Sequence, residues 1–111
     1  MKHELKTWPE FFRACRSGDK TFELRYNDRD YKVGDELELN EFEPCRGCGG
    51  KKRVHWTNED VACPDCYGTG GRYTGQRSFH TVTYVLHEHP GIYRGYVILG
   101  LRRAMFNADE V

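Results

Sequence analysis

The pattern of apolar and polar positions along the chain predicts one short helix followed by several strands. The helical pattern covers residues 7–18, where apolar side chains recur at spacings of three and four. They form a single stripe: Trp8, Phe11, Phe12 and Cys15. We expect this stripe to face the core, with Cys15 as a small apolar residue within it.

The ends of this segment are typical of helix ends. Thr7 and Glu10 have the spacing of a capping box, and Pro9 suits the first turn. Gly18 suits the left-handed conformation that often ends a helix. The sequence therefore predicts a helix capped by Thr7 and ended by Gly18.

Four segments have the pattern of strands. They are residues 20–26, 36–42, 77–88 and 95–103. The turn signals between them include a His-Pro-Gly run that begins at residue 89. Together with the helix, these strands predict an α+β, mainly β fold.

Two of these strands alternate clearly enough to predict their faces. In residues 20–26, the apolar set Phe22, Leu24 and Tyr26 is expected to face the core. Thr21, Glu23 and Arg25 would then share the opposite face. In residues 77–88, the set expected to share one face is Val82, Tyr84 and Leu86.

Composition narrows the class of protein. The 111 residues fit one domain, 1–111, and 14% aromatic content can supply its core. Seventeen basic and seventeen acidic side chains give zero net charge, which excludes a polycation that binds nucleic acid through bulk electrostatics. No apolar run is long enough to span a bilayer and the N-terminus has no signal-peptide core, so we expect a cytoplasmic protein without a membrane partner.

Residues 45–72 differ from the rest of the chain. They contain four of the five cysteines and six of the twelve glycines, with few large apolar side chains. A segment of this composition cannot form a hydrophobic core of its own. We therefore interpret 45–72 as an insertion that another interaction must stabilise.

The spacing of the four cysteines in this insertion predicts that interaction. They form a C-x2-C-x14-C-x2-C pattern, which is typical of a structural zinc site: Cys45, Cys48, Cys63 and Cys66. A redox dithiol and disulfides are the alternatives; the first lacks a thioredoxin-like context and the second a secretion signal. Four thiolates would complete the tetrahedral coordination of one Zn²⁺. His55 could replace one of the cysteines as a ligand, but we expect this histidine to be solvated.

Both cysteine pairs resemble known zinc modules. The run from Cys63 to Gly70 matches the C-x2-C-x-G-x-G repeat of DnaJ-type zinc modules, and the run from Cys45 to Gly50 resembles a degraded copy. Between them, residues 51–56 are basic with one aromatic side chain. This stretch could contact phosphate and a base, or it could be a solvated loop.

A second group of candidate functional residues, mostly charged, lies around and after the predicted helix. Lys20 precedes Glu23 and Arg25 on one predicted strand, and the candidate ligand-binding set is Lys6, Lys20, Thr21, Glu23, Arg25, Asn27 and Arg29. Mixed charges that converge on a cleft can bind a polar ligand or polarise a substrate bond. The alternative is a network of surface salt bridges that contributes little to stability.

The run from Gly18 to Arg25 resembles the G-x-K-x-x-E-x-R signature of ASCH domains, in the PUA-like superfamily. The segments 3–12 and 27–35 resemble a group of small, uncharacterised ASCH-like proteins of phages and bacteria. This resemblance covers nearly the whole chain outside 45–72. It implies a small PUA-like β-barrel with a flanking helix and a cleft that binds RNA or a nucleotide.

Some ASCH proteins are amidohydrolases that use a lysine, a threonine and a glutamate on an acylated cytidine. Lys20 matches that lysine, whereas Glu23 stands where the threonine would be, and Glu88 is a candidate for the distant glutamate. Lys20 and Glu23 are therefore the candidate catalytic residues.

The sequence thus leaves three functions open. The first is an RNA- or nucleotide-binding module with one structural Zn²⁺, and the second is an amidohydrolase acting on a modified nucleoside. The third is a zinc-dependent adaptor that binds a protein partner through residues 45–72.

Overall fold

The computed structural model describes residues 1–56, 58–87 and 89–104. Within these ranges the fold is mainly β, with one short helix. The elements in chain order are β1 (Lys2–Thr7), α1 (Pro9–Ser17), β2 (Phe22–Tyr26), β3 (Glu36–Pro44), β4 (Arg53–Trp56), β5 (Glu59–Ala62), β6 (Gly71–Leu86) and β7 (Tyr96–Arg103).

Five strands form one curled sheet in the order β1-β3-β6-β7-β2, and this sheet is a half-barrel. β1 pairs with β3 in parallel, and the other neighbouring strands are antiparallel. β1 and β2 are therefore the two edges of the half-barrel. The predicted α+β, mainly β fold is confirmed.

The core lies between α1 and the concave face of the sheet. Phe12 and Cys15 of α1 contribute to it, so the prediction for Cys15 is confirmed. The other fully buried apolar side chains come from alternate positions of the inner strands: Leu37, Leu39, Val82, Val97 and Leu99. This period of two places one face of each strand inside.

β1 is a strand that the sequence pattern did not predict. Its inward residues are His3, Leu5 and Thr7, and two of these are polar. His3 is buried because its Nε2 lies 2.8 Å from a carboxylate oxygen of Asp35. Hydrogen-bonded polar groups can be buried at little cost, and they hide the alternation from a hydropathy pattern.

The predicted start of the helix is wrong, whereas its end is confirmed. Thr7 belongs to β1, and α1 begins at Pro9 after Trp8 without a side-chain cap. Gly18 ends the helix in the left-handed conformation, with φ of 88°. Thr7 does not cap the helix because Trp8 occupies the N-cap position, and the buried Thr7 Oγ1 lies 3.4 Å from Arg25 Nη2.

The predicted apolar stripe is also only half buried. Phe12 and Cys15 are in the core, but Trp8 and Phe11 are about half exposed. Both side chains instead line a cleft on the surface of the half-barrel.

The predicted faces of β2 are reversed. Glu23 is 3% exposed, whereas Phe22, Leu24 and Tyr26 are 48–58% exposed. Alternation itself is confirmed, but the charged side chains point into the half-barrel. The inward carboxylate of Glu23 is neutralised there by two neighbouring cations, which removes most of the free-energy penalty of burying a charge.

The face of β6 changes within the strand. A bulge between Val82 and Tyr84 shifts its register against β7. Val82 is buried, but Tyr84 is exposed and Val85 packs against the core instead. The prediction that Tyr84 shares the face of Val82 is therefore wrong, because a bulge inverts the alternation.

The cysteine-rich segment joins two paired strands. β3 and β6 remain paired as far as Pro44 and Gly71. Residues 45–70 therefore form the connection between these two antiparallel strands. Within them, β4 and β5 form a separate two-stranded sheet. His55 lies in β4 and is exposed, as predicted.

Candidate ligand cleft and metal centre

Three charged side chains form a partly buried cluster at the start of β2, with the carboxylate of Glu23 as its buried member. Lys20 Nζ lies 2.5 Å from Glu23 Oε1, and Arg25 Nε lies 2.9 Å from Glu23 Oε2. Both carboxylate oxygens therefore accept a charge-assisted hydrogen bond. The three groups together carry a net charge of about +1, so the cluster attracts an anion or a hydrogen-bond acceptor.

Arg25 and Arg29 connect the two edges of the half-barrel. Arg25 donates to the backbone oxygen of Lys6 at 2.9 Å, and Arg29 donates to that of Glu4 at 3.0 Å. Glu4 and Lys6 are two residues apart in β1, so their carbonyls point to the same side of the strand. Two guanidinium groups thus bind the free edge of β1 where a further strand would pair.

A cavity of about 850 Å³ opens beside the charged cluster. We call it the aromatic cleft because most of its walls are aromatic or apolar. Lys20, Glu23 and Arg25 supply its charged groups. The remaining lining residues are Lys6, Thr7, Trp8, Phe11, Phe22, Leu24, Tyr26 and Tyr96.

The aromatic rings of this cleft contact its cation. Lys20 Nζ lies 5.2 Å from the ring centres of both Phe11 and Phe22. At this distance a ring face attracts an ammonium group. The two rings and the carboxylate of Glu23 therefore hold the Lys20 amine at the cleft wall.

A second cavity, of about 550 Å³, adjoins the first and shares Lys6 and Arg25 with it. We call it the basic groove. Its lining residues are Glu4, Leu5, Lys6, Arg25, Arg29, Glu38, Asn40 and Tyr73. Lys2 and Arg77 lie 3.2 and 3.8 Å from the buried carboxylate of Glu38 and compensate its charge.

Most of the predicted ligand-binding residues are brought together. Lys20, Glu23 and Arg25 meet in the aromatic cleft, and Arg29 lies in the basic groove. Lys6 lines both cavities, and its Nζ lies 4.5 Å from the ring centre of Phe42.

Thr21 and Asn27 are the exceptions. Neither lines the aromatic cleft or the basic groove. The Oδ1 of Asn27 accepts a hydrogen bond from the amide of Tyr31 at 3.4 Å, so Asn27 shapes the turn after β2. Glu88, the candidate for a distant glutamate, lies outside the described residues.

The sequence pattern missed the hydroxyl and aromatic groups of the cleft. Thr7 is buried there, and its Oγ1 lies 3.4 Å from Arg25 Nη2. The aromatic walls were assigned to the core because large apolar residues are usually buried. The hydropathy pattern carries no signal for this orientation of β2, because it does not include the pairing of Glu23 with Lys20 and Arg25.

Buried titratable groups lie behind the cluster. Burial and the nearby Glu23 carboxylate raise the pKa of the Cys15 thiol to about 11, and the two side chains lie 3.6 Å apart. Burial and the charge of Arg103 lower the pKa of His80 to about 4. His80 Nε2 lies 2.8 Å from Ser78 Oγ. At neutral pH both Cys15 and His80 are therefore uncharged.

The four cysteines of the C-x2-C pairs form a cluster that could hold a metal ion. Their sulfur atoms lie within 4.8 Å of one another. Across the two pairs, the sulfurs of Cys45 and Cys63 are 3.8 Å apart, and those of Cys48 and Cys66 are 3.7 Å apart. The geometry therefore brings together all four residues that the spacing predicted.

Backbone amides are directed at two of these sulfurs. The amide of Lys52 lies 3.3 Å from Cys48 Sγ, and that of Gly70 lies 3.3 Å from Cys66 Sγ. Burial would raise the pKa of the Cys66 thiol, but the amides of Gly70 and Gly68 and the neighbouring sulfurs outweigh it and lower the pKa to about 6. Cys66 thus favours thiolate, the form that binds metal, whereas burial raises the pKa of the neighbouring Cys63 thiol to about 11.

The two halves of the metal site repeat each other at an offset of 18 residues, the separation of both close sulfur pairs. The first half covers residues 45–52 and the second covers 63–70. Three matching positions have positive φ in both halves, as the following pairs show: Gly49 and Tyr67, Gly50 and Gly68, Lys52 and Gly70. What the sequence presented as a degraded copy is the same backbone conformation.

The halves also bind each other reciprocally. The amide of Cys63 donates to the oxygen of Lys52 at 2.9 Å, and the amide of Cys45 donates to that of Gly70 at 2.8 Å. Each half therefore ends by binding the first cysteine of the other, which produces a pseudo-twofold arrangement.

The metal site lies close to the aromatic cleft. A Cβ added to Gly50 would be 3.8 Å from the ring of Trp8, which lines the cleft. The first half of the metal site therefore borders one wall of the cleft.

Among the described residues, no helix is both long and apolar enough to cross a membrane. No curated protein matches the sequence. A family model with the description "Domain of unknown function (DUF3850)" matches residues 2–101, which include the aromatic cleft and all four clustered cysteines. Because the match extends over most of the 111 residues, the chain belongs to the DUF3850 family.

Proposed function

We propose that this protein binds a nucleotide unit, free or within RNA, with its base in the aromatic cleft and its phosphate in the basic groove. The observation that carries the proposal is the position of Arg25, which lines both cavities. One ligand with an aromatic part and an anionic part would fill both. The curled sheet with a flanking helix agrees with the ASCH resemblance, and we include ASCH membership in the proposal.

The aromatic cleft has the chemistry that a base requires. Trp8, Phe22 and Tyr26 are each about half exposed, so their rings are available for stacking. Stacking of a base on an aromatic side chain contributes about 1–3 kcal/mol. Lys20 and Arg25 retain N–H groups beyond those that bind Glu23, and these can donate to base oxygens and ring nitrogens.

The basic groove has the charge that a phosphate requires. Lys6, Arg25 and Arg29 are its cations, and Glu4 and Glu38 are its anions. Because Lys2 and Arg77 compensate Glu38, the groove is positive overall. A protein with no net charge can thus bind phosphate locally, with a small number of contacts and a shallow dependence on salt.

Calorimetric titration with mononucleotides and a short single-stranded RNA at low salt tests this proposal. We expect binding by wild type and a loss of at least about 10-fold in affinity in Arg25→Gln, the size expected when a charge-assisted hydrogen bond is lost. Arg13→Gln is the matched control, since Arg13 is an exposed arginine outside both cavities. Absence of binding to every mononucleotide and to the RNA would contradict the proposal.

We propose Zn²⁺ as the ion of the four-cysteine site, in a structural role. In a tetrahedral site with Zn–S bonds of about 2.3 Å, the sulfurs lie about 3.8 Å apart. Two of the sulfur pairs have separations of 3.7 and 3.8 Å, and all four sulfurs lie within 4.8 Å of one another. Four thiolates leave no position for substrate. Elemental analysis should find one zinc per chain in wild type and none in Cys63→Ser. If wild-type protein purified under reducing conditions contains no metal, the proposal is contradicted.

Hydrolysis of an amide on a modified nucleoside is a second candidate, favoured by the contact between Lys20 and Glu23. Lys20 would donate a hydrogen bond to the amide oxygen as water adds to the carbonyl carbon, while Glu23 and Arg25 position the substrate. As the C–N bond breaks, one proton of the added water passes to the exocyclic nitrogen; the products are the free exocyclic amine and a carboxylic acid, which releases its proton to solvent. Thr7 supplies the hydroxyl group of the cleft that Thr21 does not.

Chromatographic detection of cytidine released from an acylated cytidine tests this candidate. Turnover by wild type that is lost in Lys20→Ala would support it. Equal turnover in both proteins, or none in wild type under conditions where the ligand binds, would eliminate it.

A further inference from the structure

Three tyrosine rings form a row that begins in the aromatic cleft and extends beyond it. The ring centres of Tyr26 and Tyr96 are 5.5 Å apart, and those of Tyr96 and Tyr93 are 6.3 Å apart. Tyr26 and Tyr96 line the cleft, whereas Tyr93 lies outside it and is 85% exposed. We call these three residues the tyrosine row.

The backbone around the row is shaped to hold it. Residues 93–96 form a turn closed by the amide of Tyr96, which donates to the oxygen of Tyr93 at 3.0 Å. Gly95 has a φ of 85°, the conformation that favours glycine at the third position of a type II turn. This turn places Tyr93 beside Tyr96.

Gly95 is also required for the place of Tyr26. A Cβ at Gly95 would lie 2.7 Å from the Tyr26 ring, so any other side chain would displace that ring. The oxygen of Gly95 accepts a hydrogen bond from the amide of Asn27 at 2.8 Å, which joins the turn to the end of β2. The absent side chain at Gly95 thus allows the three rings to lie in sequence.

The far end of the row has a cavity of its own, of about 400 Å³. Tyr93, Tyr96 and the cation of Arg94 line it. Aromatic faces next to a cation are the elements by which proteins bind single strands, where successive bases stack and the phosphates pair with cations. A protein segment would instead need a deep apolar pocket for its anchoring side chain, and Tyr93 projects into solvent.

We propose that the tyrosine row is a second binding site for bases adjacent to the one in the aromatic cleft, so that the ligand is a single-stranded nucleic acid of several nucleotides. This inference depends on the proposed function, because the row continues from the cleft. Arg94 would contact the phosphate beside the base stacked on Tyr93.

Affinity measured against strand length tests the inference. The probes are AMP and oligoadenylates of two, four and six nucleotides, titrated at low salt. We expect affinity to rise with length by about 5- to 150-fold for each stacked base and then to level off. Tyr93→Ala should lose the gain from one base while its affinity for AMP stays unchanged, and Tyr93→Phe should retain both.

Tyr84→Ala is the matched control, since Tyr84 is an exposed tyrosine that lines neither the cleft nor the cavity at Tyr93. If AMP binds but longer strands bind no better, the inference is wrong and the proposed function stands. If neither AMP nor any strand binds, both are wrong. If Tyr93→Ala changes the oligomeric state but not strand affinity, the row is a protein interface and the inference is overturned.

Discussion

Arg25 donates a hydrogen bond to the backbone oxygen of Lys6, 2.9 Å away, and so joins the two edge strands of the half-barrel through a side chain. Arg25 also binds Glu23 and lines both the aromatic cleft and the basic groove. The same residue therefore belongs to the fold and to the candidate binding site. Its substitution should change stability as well as affinity.

Arg25→Lys tests the structural part of this role. Lysine keeps the charge but lacks the planar group that reaches Glu23 and the Lys6 oxygen together. We expect a loss of about 1–2 kcal/mol in the free energy of unfolding and faster amide exchange in β1.

Denaturant unfolding and hydrogen exchange measure these effects. Arg102→Lys serves as control, because Arg102 is an exposed arginine on β7. Unchanged exchange in β1 would show that the edge is held without Arg25.

The position of β2 follows from the sequence pattern, but its orientation does not. A period of two identifies a strand, but it does not say which of the two faces is inside. Hydropathy favoured Phe22 and Tyr26, whereas the fold buries Glu23 because Lys20 and Arg25 neutralise it. That compensation depends on contacts within the cluster, which hydropathy does not include.

The cysteine cluster shows the opposite case. Its four members were predicted fully, because two residues between cysteines allow both sulfurs of a pair to reach one ion. The proximity of Gly50 to Trp8 was not predictable, since it depends on how the cysteine segment lies against the start of α1. Local spacing determines which cysteines come together, and tertiary packing determines what lies beside them.

His80 should make the protein less stable in weak acid. Its pKa is about 4 in the folded chain, because of burial and then Arg103, and about 6.5 in the unfolded chain. Above pH 6.5 neither state binds the proton, so the free energy of unfolding has no dependence on this group. Between pH 6.5 and 4 only the unfolded chain binds it, and stability falls by about 3 kcal/mol in total.

His80→Gln removes the titrating group while it keeps a hydrogen-bonding side chain near Ser78. The difference in unfolding free energy between wild type and His80→Gln, measured from pH 7 to 4, isolates His80, because acid effects on the metal site and on Asp35 cancel. A constant difference across that range would contradict the prediction.

Replacement of residues 45–70 by Asn-Gly should leave the half-barrel folded. Pro44 and Gly71 are already paired at the ends of β3 and β6, and Asn-Gly forms the two-residue turn that joins antiparallel strands. We expect a cooperative unfolding transition and retained β-sheet circular dichroism. Loss of the transition would show that the metal site is needed for the fold, and not only for its own segment.

The same replacement separates the two parts of the site. The variant should bind no zinc, because all four clustered cysteines are removed. Its affinity for AMP should fall only through the lost support of Trp8, since the other cleft residues lie outside 45–70. A complete loss of AMP binding would place the base-binding surface on the cysteine segment instead.

The pseudo-twofold arrangement of the metal site predicts that one non-glycine position can be improved. Lys52 has a φ of 74°, and its counterpart Gly70 has a φ of 86°. A left-handed conformation costs a residue with a Cβ about 1 kcal/mol more than it costs glycine.

Lys52→Gly should therefore tighten metal binding by about 5-fold. Gly70→Ala should weaken metal binding by more than this factor, because a Cβ at residue 70 would also lie 3.2 Å from the oxygen of Gly50. Competition with a chelator measures both affinities. Gly34→Ala is the control, because Gly34 has a positive φ, lies outside residues 45–70 and has open space around the position of an added Cβ. If Lys52→Gly weakens binding, the two halves are not equivalent and the lysine side chain contributes to the site.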